Sequence, residues 1–202
     1  MNLYRLALYV HLFVLTVLAG AAGASELAHG RLRRARTVGQ AREWASVLRT
    51  VKPMFPYGAL LLLVSGGYMV GQAFKWTDGW VLVSAIGLVA TQALGAALVG
   101  RWGKGVGAAL GGPPDAPLSR EARAAILDPA GCLGHRTIMG LVLGIMLLMV
   151  TKPPGPASAV IAVAAAALGA ASSLPILRSA AEPAAPPAIP AGDEAGAPGV
   201  SG

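Results

Sequence analysis

Residues 6–25 read LALYVHLFVLTVLAGAAGAS, and no Asp, Glu, Lys or Arg interrupts them between Arg5 and Glu26. A helix crossing the hydrocarbon core of a bilayer needs about 20 apolar residues, so this stretch is long enough by itself. The same absence of charge recurs at 53–74, 79–100 and 153–177, and more briefly at 137–151. Lipid offers no partners to open backbone N–H and C=O groups, which restricts spanning segments to helices and closed barrels. These stretches lack the apolar–polar alternation of barrel strands. The expectation is an all-α, polytopic transmembrane helix bundle over residues 1–178, with five crossings at about 4–25, 54–74, 79–100, 134–151 and 157–177.

The fourth crossing is short. Its 15 uncharged residues rise only about 22 Å against a core of about 30 Å. Extension back through His135 and Gly134, with Arg136 and Lys152 reaching outward, makes up most of the difference. The alternative is a re-entrant hairpin over 137–177, broken at Pro153-Pro154-Gly155-Pro156. The first stretch carries Ala22-Gly23-Ala24, small residues of the kind found at signal-peptide cleavage sites. It is longer than the usual core of about 7–15 residues, and its arginines follow rather than precede it, so it reads as a retained helix.

Composition agrees. The chain has 202 residues, 55% of them hydrophobic and 12% charged, with a mean hydropathy of +0.63. Soluble domains carry roughly twice that share of charge, which excludes an ordinary water-soluble globule. One cysteine, Cys132, excludes a disulfide framework. Thirteen of the sixteen Lys and Arg residues fall in 26–52, in 101–136 or at Arg178, leaving Arg5, Lys75 and Lys152 for the other side. The positive-inside rule then puts both long loops and the C-terminus in the cytoplasm, with the N-terminus outside. A sequence pI near 10.2 reflects cations that face the anionic headgroups of the cytoplasmic leaflet, and no nucleic-acid partner is implied.

Val38, Ala41, Trp44, Ala45 and Leu48 recur at helical spacing. They describe either an amphipathic helix on the inner leaflet or a helix packed on the bundle. A short helix is expected over Ser119–Leu127, ended by Asp128-Pro129. Gly103-Lys104-Gly105-Val106-Gly107 lacks the spacing of a phosphate-binding loop and reads as a flexible linker. Residues 179–202, rich in Pro, Ala and Gly, are expected to be a disordered cytoplasmic tail.

An ionisable side chain at membrane depth is a functional candidate by default. His11 lies about 12 Å below the outer boundary by helical rise, and Tyr68, Met69, Ser84 and Met146 fall within about one turn of that level. Tyr68 or Ser84 is a candidate partner for its ring N–H. Three readings of His11 stand: a hydrogen-bonded packing residue, a haem or copper ligand with Met146 or Met69 as a soft second ligand, and a proton relay. His135 sits about 18 Å away in depth, too far to share a metal whose ligands lie at about 2 Å. Cys132 and His135 supply half a zinc site, against a plain interfacial loop. No uncharged stretch contains Asp or Glu, so an ion pathway has no obvious carboxylate carrier, and no catalytic set is apparent. Small residues recur four apart at Gly67 and Gly71, at Gly87, Thr91 and Gly95, and at Gly140 and Gly144. They permit close helix packing within the chain, between copies, or against a membrane-protein partner.

Leu8-Tyr9-Val10-His11-Leu12 with the basic loop after it, Leu62-Leu63-Val64-Ser65-Gly66-Gly67-Tyr68 and Met149-Val150-Thr151-Lys152-Pro153 together carry a resemblance over about residues 4–153. The chain resembles bacterial integral membrane proteins of unassigned function that are distantly similar to copper-resistance protein D and to the membrane-embedded protoporphyrinogen oxidase. The resemblance implies a multi-pass protein of the bacterial inner (plasma) membrane. In the oxidase-like relatives the histidine of the first helix binds haem, a role that would fall on His11. Three functional expectations remain: a structural or partner-binding membrane subunit, a haem- or copper-binding membrane protein using His11, and a small transporter.

Overall fold

A computed structural model describes residues 2–176, and the expected tail lies outside them. Helix α1 (Leu3–Arg34) starts where the Asn2 side chain accepts from the Tyr4 N–H, and it closes with Arg31, Arg33 and Arg34 against its negative dipole end. The chain turns through Ala35 and Arg36, and Thr37 caps α2 (Val38–Val51). Helix α3 (Met54–Ala73) follows almost directly, with Pro53 and Pro56 at its first turn, where no intrahelical N–H is lost. Helix α4 (Gly79–Leu94) continues through a π-helical turn at Gly95–Val99 into α5 (Gly100–Ala109). Ser119 caps α6 (Arg120–Ile126). Asp128 caps α7 (Pro129–Thr151), which has proline at its first position. Helix α8 is Gly155–Ala171.

Five helical stretches are long and apolar enough to cross a membrane: Leu3–Arg34, Val38–Ala73, Gly79–Ala109, Arg120–Thr151 and Gly155–Ile176. They coincide with the five expected from charge spacing. The extra length required by the fourth comes from Pro129–Arg136, giving α7 23 residues and about 34 Å of rise. Helix α8 then packs back along α7, with the turn between them at residues 152–154.

Small residues set the α7–α8 contact. A Cβ on Gly140 would meet the Ala165 carbonyl and, at 2.9 Å, Gly169 Cα; one on Gly144 would lie 2.7 Å from Ala165 Cβ. Gly87 performs the same service for α4 against Ile145, at 3.1 Å. Gly71, by contrast, has nothing within 4 Å of such a Cβ. In lipid this close approach is what holds helices together.

At one end of the bundle α2, α5 and α6 form a cap with its own core of Leu32, Ala41, Val106, Leu110, Ala122 and Ile126. Trp44, Ala45 and Leu48 of α2 pack on that core, so the α2 pattern reads as a packed helix. The Arg42 guanidinium donates to the carbonyls of Leu110 (2.8 Å) and Gly112 (2.9 Å). The Leu118 N–H donates to the Arg36 carbonyl, and Arg123 to that of Arg33. The glycine-rich stretch expected to be a flexible linker is helix α5. Its apolar residues Val106 and Leu110 have a core to bury in, which outweighs the poor helix propensity of its glycines. At the opposite end Lys152, in the left-handed region at φ 46°, turns α7 into α8 and sets its ammonium 4.8 Å from the Phe74 ring centre and 5.9 Å from that of Trp80.

Candidate functional site

His11 is buried between α1 and α3. Its Nδ1 lies 3.0 Å from Ser65 Oγ, and Ser65 donates its own hydroxyl proton to the Leu61 carbonyl at 2.6 Å. Ser65 therefore accepts, and the ring nitrogen donates. Gly66 leaves room for the ring, a Cβ there lying 3.3 Å from His11 Cε1. Neither partner named from depth arithmetic is the one observed. Tyr68 is half-buried one turn further along α3, and Ser84 is buried on α4 with no hydrogen-bond partner for its Oγ among the described residues. Met146 stands on α7 with 41% of its surface exposed. The main neighbours of α7 are α8 and α4, whereas α1 packs on α3 and α2. Met146 is on a helix that packs elsewhere, whereas Met69, the other soft ligand expected beside His11, is on α3, one turn beyond Ser65. What the geometry supplies at His11 is a polar clasp between two membrane helices.

A second polar cluster lies at the cap end, and three helices build it. Glu26 and His29 come from α1, Trp102 from α5, and His135 and Arg136 from α7. Gly131 and Gly134 make the cluster possible. A Cβ at Gly131 would run into Trp102, and one at Gly134 would lie 2.7 Å from Leu98 Cβ, so the α4–α5 rod beds down on the start of α7. The π-helical turn just before α5 re-aims the side chains that follow it, Trp102 among them.

The result is a column of rings. His29 stacks on Trp102 with centroids 4.9 Å apart and on His135 at 4.0 Å. His135 Nε2 donates to Glu26 Oε1 at 2.8 Å, and Arg136 reaches Glu26 Oε2 at 3.4 Å. His29 Nδ1 is 2.8 Å from the Ser25 carbonyl, so it carries the proton and donates. Its Nε2 is then a bare lone pair. It is buried with no hydrogen-bond partner among the described residues, as are Trp102 Nε1 and Arg136 Nε. Arg33 donates to the His29 carbonyl and approaches Cys132 Sγ at 3.6 Å.

Cys132 thus faces a guanidinium rather than a metal partner. No group of three His, Cys, Asp or Glu residues able to hold a metal ion occurs among the described residues. His135, expected near the inner end of the fourth crossing, is buried within α7, and the helix starts early enough to take in Cys132 as well. His11 and His29 are separated by eighteen positions of α1, about 27 Å of rise, so the clasp and the column are separate places.

Counting uncharged residues concealed the column, because Glu26 ends the first gap while α1 runs on to Arg34. A signal was present: Glu26, His29 and Arg33 recur at helical spacing on one face.

Between α1 and α3 lies an open apolar groove of about 420 Å³, bounded by Phe13, Val17, Leu18, Met54, Tyr57 and Leu61. No protein-family model, characterised protein or solved structure matches this chain.

Proposed function

We propose that this chain is a multi-pass subunit of the bacterial inner membrane whose task is to hold a basic cap at the cytoplasmic face, where it meets anionic headgroups and a protein partner. The cap itself carries the reading. It has a core of its own, is braced internally by Arg42 and fastened to the bundle by Arg123 and by the ring column, and presents Arg34, Arg36 and Arg49 exposed and without an ion pair among the described residues. Each cation near an anionic surface contributes about 1 kcal/mol, so such a cap has a preferred side of the membrane and a preferred kind of neighbour.

Orientation and binding are tested together. In intact cells a membrane-impermeant thiol reagent is expected to label a cysteine placed at Lys75 and to spare Cys132 until the membrane is opened. Nanodiscs containing phosphatidylglycerol should protect the cap from protease, and the triple change of Arg34, Arg36 and Arg49 to Gln should remove that protection. Labelling with the opposite sidedness overturns the orientation, and protection that ignores lipid charge overturns the role of the cap.

A further inference from the structure

We propose that His29 is a proton-binding site, and that uptake of a proton at its Nε2 frees Trp102 from the ring column and loosens α5 from the bundle. The geometry sets this up. His29 is 8% exposed, and its one unengaged nitrogen faces no acceptor or donor among the described residues. Trp102 Nε1–H, on the ring stacked against it, is likewise buried without a partner. Unsatisfied buried polar groups are rare because each forfeits its hydration. Two on adjacent stacked rings give that contact hydration to gain on opening.

Every charged group facing His29 bears on the direction. From its own helix come Glu26 and Arg33, and from α7 come His135 and Arg136, with the Cys132 thiol beside Arg33. From the cap, α5 contributes neutral Trp102, and Arg123 of α6 is occupied with the Arg33 carbonyl. The one anion, Glu26, is already engaged by His135 and Arg136. A proton on His29 would therefore place a cation 4.0 Å from the ring held by Glu26, beside Arg33, with a new N–H that has nothing to donate to. The indole face attracts a cation, but it satisfies neither that N–H nor the one of Trp102. Opening the stack hydrates both. The proton comes from the aqueous phase, to which Glu26, with 31% of its side chain exposed, connects the column. The bond formed is N–H at Nε2, and no other covalent bond changes. That the sensed compartment is the cytoplasm rests on the orientation proposed above.

The test is hydrogen–deuterium exchange of the full chain in nanodiscs, where both faces meet the same buffer, so a wrong orientation cannot mask the response. Readings are taken at about pH 5.5 and about pH 7.5, on either side of the ordinary imidazole range. After correction for the intrinsic pH dependence of exchange, residues 100–109 should exchange about tenfold faster at the acid value, because about one unit below the ordinary imidazole value the opened ring takes up a proton that the stacked ring excludes. Residues 140–150 should not change. His29→Gln should abolish the response, and His11→Gln should keep it. Unchanged or slower exchange of 100–109 in the unaltered protein overturns the proposal, whether or not a variant folds. A response that survives His29→Gln, or disappears in a folded His11→Gln protein, overturns it as well.

Discussion

His29 and His135 lie flat against one another with ring centroids 4.0 Å apart and planes 22° from parallel, although more than a hundred residues separate them. The contact joins the end of α1 to the start of α7. It exists because Glu26, one turn before His29, holds the edge of the His135 ring at 2.8 Å. A half-buried carboxylate thus fixes the position of one imidazole, and that imidazole forms the floor for the second.

Removing the His135 ring should be costly. His135→Ala leaves Glu26 with Arg136 alone and exposes one face of His29, so a loss of about 1–3 kcal/mol is expected, the range for stripping a buried polar group of its partner. Thermal unfolding in detergent measures it. Tyr57→Ala, at a side chain that is 71% exposed, serves as the control and should shift the midpoint little.

The α7–α8 contact predicts a contrast between two glycines. Gly140→Val forces a side chain into Ala165 and Gly169 and should destabilise by about 1–3 kcal/mol, as overpacking does. Gly71→Val meets open space and should be close to neutral. A disulfide engineered between α7 and α8 should form in wild type and in Gly71→Val but slowly in Gly140→Val. Equal rates in all three would remove the glycine contact as a cause of the packing.

At His11 the expected effect is on stability alone. His11→Ala loses the bond to Ser65, worth about 1 kcal/mol, while Ser65 keeps its own donation to Leu61. Absorbance of the purified protein between the near ultraviolet and the red should be the same before and after the substitution. A Soret band in wild type that disappears in His11→Ala would assign haem ligation to His11 and displace the clasp.

Lys152 is expected to matter through its charge. Lys152→Asn tolerates the same left-handed backbone but gives up the cation over Phe74 and Trp80, at a cost of about 0.5–1 kcal/mol. Tryptophan emission of a variant retaining Trp80 alone should change with this substitution, and an unchanged spectrum would show that the ammonium does not sit on the ring.

The sequence by itself determined that five helices are of membrane length and roughly where their apolar stretches lie. Lipid demands unbroken apolar length and excludes charge, and both quantities are read along the chain without knowing any neighbour. The short helix begun at Ser119 was legible too, because a cap is satisfied within three residues, whereas Asp128, which reads as the stop of that helix, caps α7. Side-chain partnership was different. Helix α3 is apolar nearly all round, so its sequence does not say which face meets α1, and Ser65 rather than Tyr68 receives His11 as a matter of rotation and register. Likewise Glu26 looks like the edge of a membrane segment until α1 is seen to continue past it and α7 to start early enough to bring His135 alongside. Those pairings follow from small residues such as Gly131, Gly134 and Gly140, which let particular helices approach, and close approach is a property of two surfaces that neither sequence segment contains alone.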